Sequence, residues 1–249
     1  MLWNCAALAR NVRDCAFVGL DIEGRDNSPA QLGLAYLAEM PTTEPTLLTG
    51  PLRSLKEKIG CQLRYIAIKG GEQGDGRRGR KKHLPCQFAN KNTEADAFEV
   101  ESVLVDWLSD WKARSGKKLL VLVGFSVAME LQALLSQWPR AIRHLDGWLD
   151  ARDLAQERAA TATTGRGGKG SFTSLHLCLL GLGIQDVYLR SHNAAADALM
   201  ALVLLLAIWD SLLQKRMLQS VTTDRPGRPR PRNRRRHDLG YGTDFVVSY

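Results

Sequence analysis

The sequence contains no pair of cysteines at CxxC spacing, and its five cysteines (Cys5, Cys15, Cys61, Cys86, Cys178) are scattered and odd in number. That argues against a zinc ribbon and a disulfide framework. It points to a reducing, intracellular setting, nuclear or cytoplasmic. Long apolar runs are also missing. The longest, Ala198–Trp209, lies between Asp197 and Asp210 and is too short to span a bilayer, so a buried core helix and no membrane partner are expected. The opening MLWNCAALARNVRD lacks a basic start followed by a long apolar core, so no secretory signal is expected. The glycine-rich stretch TATTGRGGKGS, residues 161–171, lacks the GxxxxGK[ST] spacing and follows no strand, which argues against a nucleotide-binding P-loop.

Acids are missing from two basic stretches. One holds Arg77, Arg78, Arg80, Lys81 and Lys82; the other holds Arg225, Arg228, Arg230, Arg232, Arg234, Arg235 and Arg236. Setting these twelve cations aside turns the net charge of +8 into −4 for the remainder. A mildly acidic body with two basic segments suits an active centre served by phosphate-binding arms. Residues 70–83 are low-complexity and glycine-rich, and alternating prolines forbid a regular helix in the Arg-Pro tail. One domain is therefore expected over residues 1–217, with a flexible basic insert at 70–83 and a flexible glycine loop at 161–171. Residues 218–249 read as a disordered tail.

Within the domain, CAFVGLDIE (residues 15–23) is apolar without alternation until its last residues, the pattern of a strand buried on both faces. QLGLAYLA (31–38) and LRYIAI (63–68) read as two further strands; the short link makes the first of them an antiparallel neighbour of 15–23, and three strands in a row predict an antiparallel meander. A helix is expected over 93–114, with Phe98, Val105, Leu108 and Trp111 as its apolar stripe. KLLVLVG (118–124) is a fourth strand and 148–150 a short fifth. Helices are expected at about 127–137, 172–180 and 193–213. This order predicts a three-layer α/β domain with a mixed five-stranded sheet, the first three strands antiparallel and helices on both faces. Trp107, Trp111, Trp138 and Trp209 are expected in the core or at its rim.

The chemistry is carried by acids. Asp21 and Glu23 are two apart at a strand end, so both project to one side, where like charges raise each other's pKa. A divalent cation is the simplest remedy. A second acidic element lies in SHNAAADA (191–198). Asn193 is a good N-cap, which places Asp197 in the first helical turn, where the helix dipole favours a carboxylate. His192 precedes the cap, on the incoming loop, where it is free to serve as a general base. The pattern recurs after the fourth strand: Ser126 is a candidate cap and Glu130 falls four residues beyond it. Four carboxylates from three elements suit a two-cation Mg²⁺ or Mn²⁺ site. Asp150 and Asp153, which flank the last strand, read as a helix cap and an exposed helix acid.

The ordered set Asp21-Ile22-Glu23, Gly124-Phe125-Ser126-Val127-Ala128-Met129-Glu130 and His192-Asn193-Ala194-Ala195-Ala196-Asp197 resembles the three motifs of the DEDDh branch of 3′–5′ exonucleases, which share the ribonuclease-H-like fold. The resemblance covers about residues 15–215. It implies a ribonuclease-H-like three-layer fold, direct metal binding by Asp21, Glu23 and Asp197, and a catalytic role for His192. The second motif departs from the family's GHNxxxD pattern. Glu130 stands for Asp and Phe125 for His, which keeps the charge and lengthens its arm.

The expected activity is metal-dependent removal of nucleoside 5′-monophosphates from single-stranded 3′ ends of RNA or DNA. Arg77, Arg78, Arg80, Lys81, Lys82, Arg234, Arg235 and Arg236 would hold the backbone without strong sequence preference. Leu20, Ile22 and Leu32 are candidate lining residues for the terminal base. The competing reading is an exonuclease-fold protein that binds nucleic acid, or acts as an adaptor, with weak or no turnover. An endonuclease of the ribonuclease H or integrase type also clusters acids, but the His192 element argues against it.

Overall fold

The protein was analysed as a computed structural model, which describes residues 8, 10–25, 28–41, 50–70, 86–116, 119–162, 174–181, 184 and 193–209. Strands β1 (Cys15–Arg25), β2 (Ser28–Leu37), β3 (Gln62–Lys69), β4 (Lys91–Asp96), β5 (Leu119–Gly124) and β6 (Gly147–Asp150) form one sheet in the order β4-β3-β2-β1-β5-β6. β1 pairs antiparallel with β2, as their two-residue link requires, and β2 pairs antiparallel with β3. β5 lies parallel to β1, β6 to β5, and β4 to β3. The sheet is therefore mixed, and its antiparallel and parallel parts meet at β1 and at β3.

The period of two divides β1 between two cores. Cys15 and Phe17 face a cluster with Ala35, Leu63, Val121 and the long helix α7 (Ala194–Trp209). Helices α1 (Leu52–Lys58), α5 (Ala151–Ala162) and α6 (Leu175–Gly181) add Leu52, Leu154 and Leu179 to that side. Ala16, Val18 and Leu20 face the second cluster, filled by α2 (Val100–Ser115), α3 (Ala128–Gln137) and α4 (Pro139–Ile142). Helices thus cover both faces, and an almost wholly apolar α7 is buried from Ala198 through Ile208. Among the described residues no helix is long and apolar enough to cross a membrane.

The structure departs from the sequence expectations at several points. The sheet has six strands, not five, because β4 forms from KNTEAD, a segment with no apolar alternation. Its identity comes from main-chain pairing with β3 at the sheet edge and from the Asn90 carboxamide, which accepts the Leu63 N–H at 2.7 Å. The helix expected from residue 93 consequently starts at Val100. Its buried stripe is Val100, Leu104, Trp107, Leu108 and Trp111, whereas Phe98 is 83% exposed. Trp107, Trp111 and Trp138 are buried and Trp209 packs against the core. α5 runs through Ala162, so the glycine loop begins later than expected. Its remainder at 163–171, the insert beyond Gly70 and the tail lie outside the described residues.

Two glycines bring α7 down onto the sheet. A Cβ on Gly19 would collide with the Ala198 carbonyl oxygen, and one on Gly33 with the backbone joining Ala194 to Ala195. Helix and sheet approach here closer than any side chain allows, at the first turn of α7.

Candidate metal centre

The close approach positions one carboxylate over two others. Asp21 and Glu23 continue the face of β1 that carries Phe17 and Gly19, and that face looks at α7. Above them, the Asn193 side-chain oxygen accepts the Ala196 N–H at 3.2 Å, and the Asn193 carbonyl accepts the Asp197 N–H at 2.9 Å. Asn193 therefore caps α7 as its sequence predicts, and Asp197 sits in the first turn. One oxygen each from Asp21, Glu23 and Asp197 lies within 4.8 Å of the others.

Glu130 stands beside this trio, not in it. It occupies the first turn of α3 and is 8% exposed. Its field reaches Asp21, and the field of Glu23 reaches it. The electrostatics are strained in one direction. Burial, followed by the charges of Asp197, Glu23 and Glu130, holds the Asp21 carboxyl well above the ordinary carboxylate range. Burial and then Glu23 push Asp197 up to about 7. Burial likewise raises Glu130 to about 7, with Asp150 and Glu23 adding to the rise and its own backbone N–H opposing it. Asp21 Oδ2 and Glu130 Oε2 are both buried with no hydrogen-bond partner.

Buried, unpartnered carboxylate oxygens that repel one another fit a hard divalent cation. All donors are oxygen, which suits Mg²⁺ or Mn²⁺. Asp21, Glu23 and Asp197 would hold one ion, and Glu130 lies near enough to share their field.

The loop that leads into Glu130 is built differently from the sequence expectation. Ser126 does not cap α3; Val127 holds the cap position, without a side-chain cap bond. Ser126 instead adopts a left-handed backbone, φ 69°, rare for a residue with a side chain. Asp150, at the end of β6, takes over the capping. Its Oδ1 accepts the N–H groups of Ser126 at 3.1 Å and Arg152 at 2.9 Å, and its Oδ2 accepts the Val127 N–H at 3.0 Å. Asp150 is thus the structural acid that the sequence suggests, and it secures two elements. Arg152 Nη1 donates to Ser126 Oγ at 2.9 Å.

The base pocket expected from Leu20, Ile22 and Leu32 is not at the centre. Leu20 and Leu32 are buried in the opposite core and Ile22 packs against it, because residues 20 and 22 alternate with 21 and 23. His192 and the basic residues Arg77, Arg78, Arg80, Lys81, Lys82, Arg234, Arg235 and Arg236 lie outside the described residues. Sequence reasoning missed Gly19, Gly33 and Arg152. An isolated glycine within a strand, as in VGLD and LGLA, is a signal for close backbone approach and pointed to the first two. No protein-family model matches this sequence, and no curated protein matches it either.

Proposed function

We propose that this chain is a metal-dependent 3′–5′ exonuclease of the ribonuclease-H-like fold, acting on single-stranded 3′ ends of RNA or DNA. The observation that carries this reading is the convergence of Asp21, Glu23 and Asp197 within 4.8 Å, from the end of β1 and the first turn of α7. They are the carboxylates of the first and third motifs, in the order and on the elements that the resemblance calls for.

Divalent ions in such a site supply a nucleophile at neutral pH and charge stabilisation for the leaving oxygen. The chain's own residues do the rest. Asp21, Glu23 and Asp197 fix the position of the positive charge, and Gly19 and Gly33 fix the position of Asp197. His192, directly before the cap of α7, takes the proton from the attacking water. The product is a nucleoside 5′-monophosphate.

The test is cleavage of end-labelled single-stranded RNA and DNA with Mg²⁺, Mn²⁺ or EDTA, comparing wild type with Asp21→Asn and Asp197→Asn. A ladder that shortens from the 3′ end, and is lost in EDTA and in both variants, is the expected result. Wild-type cleavage by either variant refutes the mechanism. One observation favours the second reading, a nucleic-acid-binding protein with little turnover: Glu130 stands outside the trio. Salt-sensitive binding without cleavage in either metal would support it, and Glu130→Asp is then the variant to assay.

A further inference from the structure

Beyond the four acids, the same end of the sheet carries a guanidinium whose bonding is incomplete. Arg152 lies in the first turn of α5, two residues after β6 ends, and is half-buried. The positive end of a helix dipole disfavours a cation at that position. Asp150 and Asp153 are close in sequence, yet Arg152 makes no ion pair with a carboxylate among the described residues. The Asp150 oxygens accept backbone N–H groups instead. Of the guanidinium, Nη1 donates to Ser126 Oγ, and Nε is buried without a partner. A buried donor left unpaired costs about 1–3 kcal/mol, more when charged.

Its placement suggests what it lacks. β1, β5 and β6 run parallel, so their C-terminal ends share one edge. That edge carries Asp21 and Glu23 from β1, the 125–127 loop and Glu130 after β5, and Arg152 after β6. In open α/β sheets ligands bind at this edge, where the strand order reverses, here beside β1. A guanidinium held by a serine hydroxyl and, among the described residues, by no carboxylate complements an anion with several acceptor oxygens.

We infer that Arg152 is a phosphate-binding residue, holding a backbone phosphate of the nucleic-acid strand next to the acidic centre. This rests on the exonuclease reading and adds to it a contact built into the folded body, separate from the basic insert and tail. Arg152 also orders the centre by holding Ser126, so the test must separate the two roles.

The experiment measures equilibrium binding of a fluorescent single-stranded RNA and DNA oligonucleotide to the full chain across a salt series. The Asp21→Asn background keeps the strand intact. Loss of one phosphate contact lowers the slope of log affinity against log salt by about 0.7 for a single strand. Asp21→Asn/Arg152→Gln is expected to show that loss and to bind about tenfold more weakly at low salt. Arg152→Lys should recover most of the slope, because the charge remains. Ser126→Gly suits the left-handed backbone and removes only the hydroxyl; it should keep the slope. An unchanged slope in Arg152→Gln, with a lowered melting temperature, overturns the inference and leaves Arg152 as an anchor for Ser126. An equal loss of slope in Ser126→Gly also overturns it, because the effect then travels through the loop. The exonuclease reading is judged separately, by turnover of the wild type.

Discussion

Removing one charge from the acidic trio should stabilise the metal-free protein, and only above a certain pH. The Asp197 carboxyl is pushed up to about 7 from its ordinary 3.8, by burial first and Glu23 second. A carboxyl whose folded pKa exceeds its unfolded one binds its proton more tightly in the native state. Its stabilising contribution is complete below the unfolded pKa and is lost as the pH rises through the folded one. For Asp197 alone the gap corresponds to on the order of 4 kcal/mol. Asp21 lies in the same field, so its contribution overlaps with that of Asp197 and the two are not summed. Asp197→Asn abolishes the titration in nearly the same volume. In EDTA at pH 8 the variant should therefore be more stable than wild type by about 2–4 kcal/mol, or roughly 5–12 °C in melting temperature. At pH 5, still above the unfolded pKa, the difference should shrink to about 1–1.5 kcal/mol, and only below about pH 3.8 to a few tenths, the size of a lost first-turn dipole interaction. On the proposed metal site, saturating Mn²⁺ should raise wild type selectively at pH 8, by binding the native state alone. The assay is thermal or urea unfolding at pH 5, 6, 7 and 8, with EDTA or Mn²⁺. Equal destabilisation of Asp197→Asn at every pH, or equal stabilisation of both proteins by Mn²⁺, would rule out a carboxyl held protonated by burial at this position.

Three other outcomes are expected. Gly33→Ala must push the first turn of α7 off the sheet, since its Cβ meets the Ala194–Ala195 backbone. It should cost about 1–3 kcal/mol in urea unfolding and weaken Mn²⁺ binding, measured by calorimetry. Asp150→Ala leaves three backbone N–H groups without their acceptor; a loss of about 2–4 kcal/mol is expected from the same unfolding assay. Trp111→Ala removes a fully buried side chain that stacks on Tyr36 at 4.9 Å between ring centroids. It should cost about 3–5 kcal/mol, while Phe98→Ser should stay within about 0.5 kcal/mol.

Much of the centre was legible because its logic is local. Two acids at a spacing of two on a buried strand must share a face, and an Asn before three alanines is a helix start whatever lies around it. The apolar run of α7 could only be core. What was not legible depended on partners distant in sequence. KNTEAD has no strand pattern of its own, and β3 makes it a strand by offering an open edge. Ser126 is a good cap in isolation, but Asp150 arrives from β6 with two oxygens and displaces it. The stripe of α2 was misphased at Phe98 because the helix begins only after β4 ends. The assignment of Leu20 and Ile22 to a pocket had a different cause. The alternation that aims Asp21 and Glu23 at α7 necessarily aims their neighbours away, and that was readable from the chain.

The order of the elements also sets a schedule. β1, β2 and β3 are consecutive and can pair as soon as they leave the ribosome, since their contacts are short in sequence. The helix that completes the centre comes late: Asp197 follows Asp21 by 176 positions. Closing a loop of that size costs about 4–5 kcal/mol of chain entropy, repaid only when α7 seats against Gly19 and Gly33. At ordinary synthesis speeds the nascent chain carries half of its acidic centre for roughly 10–35 s before the other half exists. The centre is thus a late event of folding.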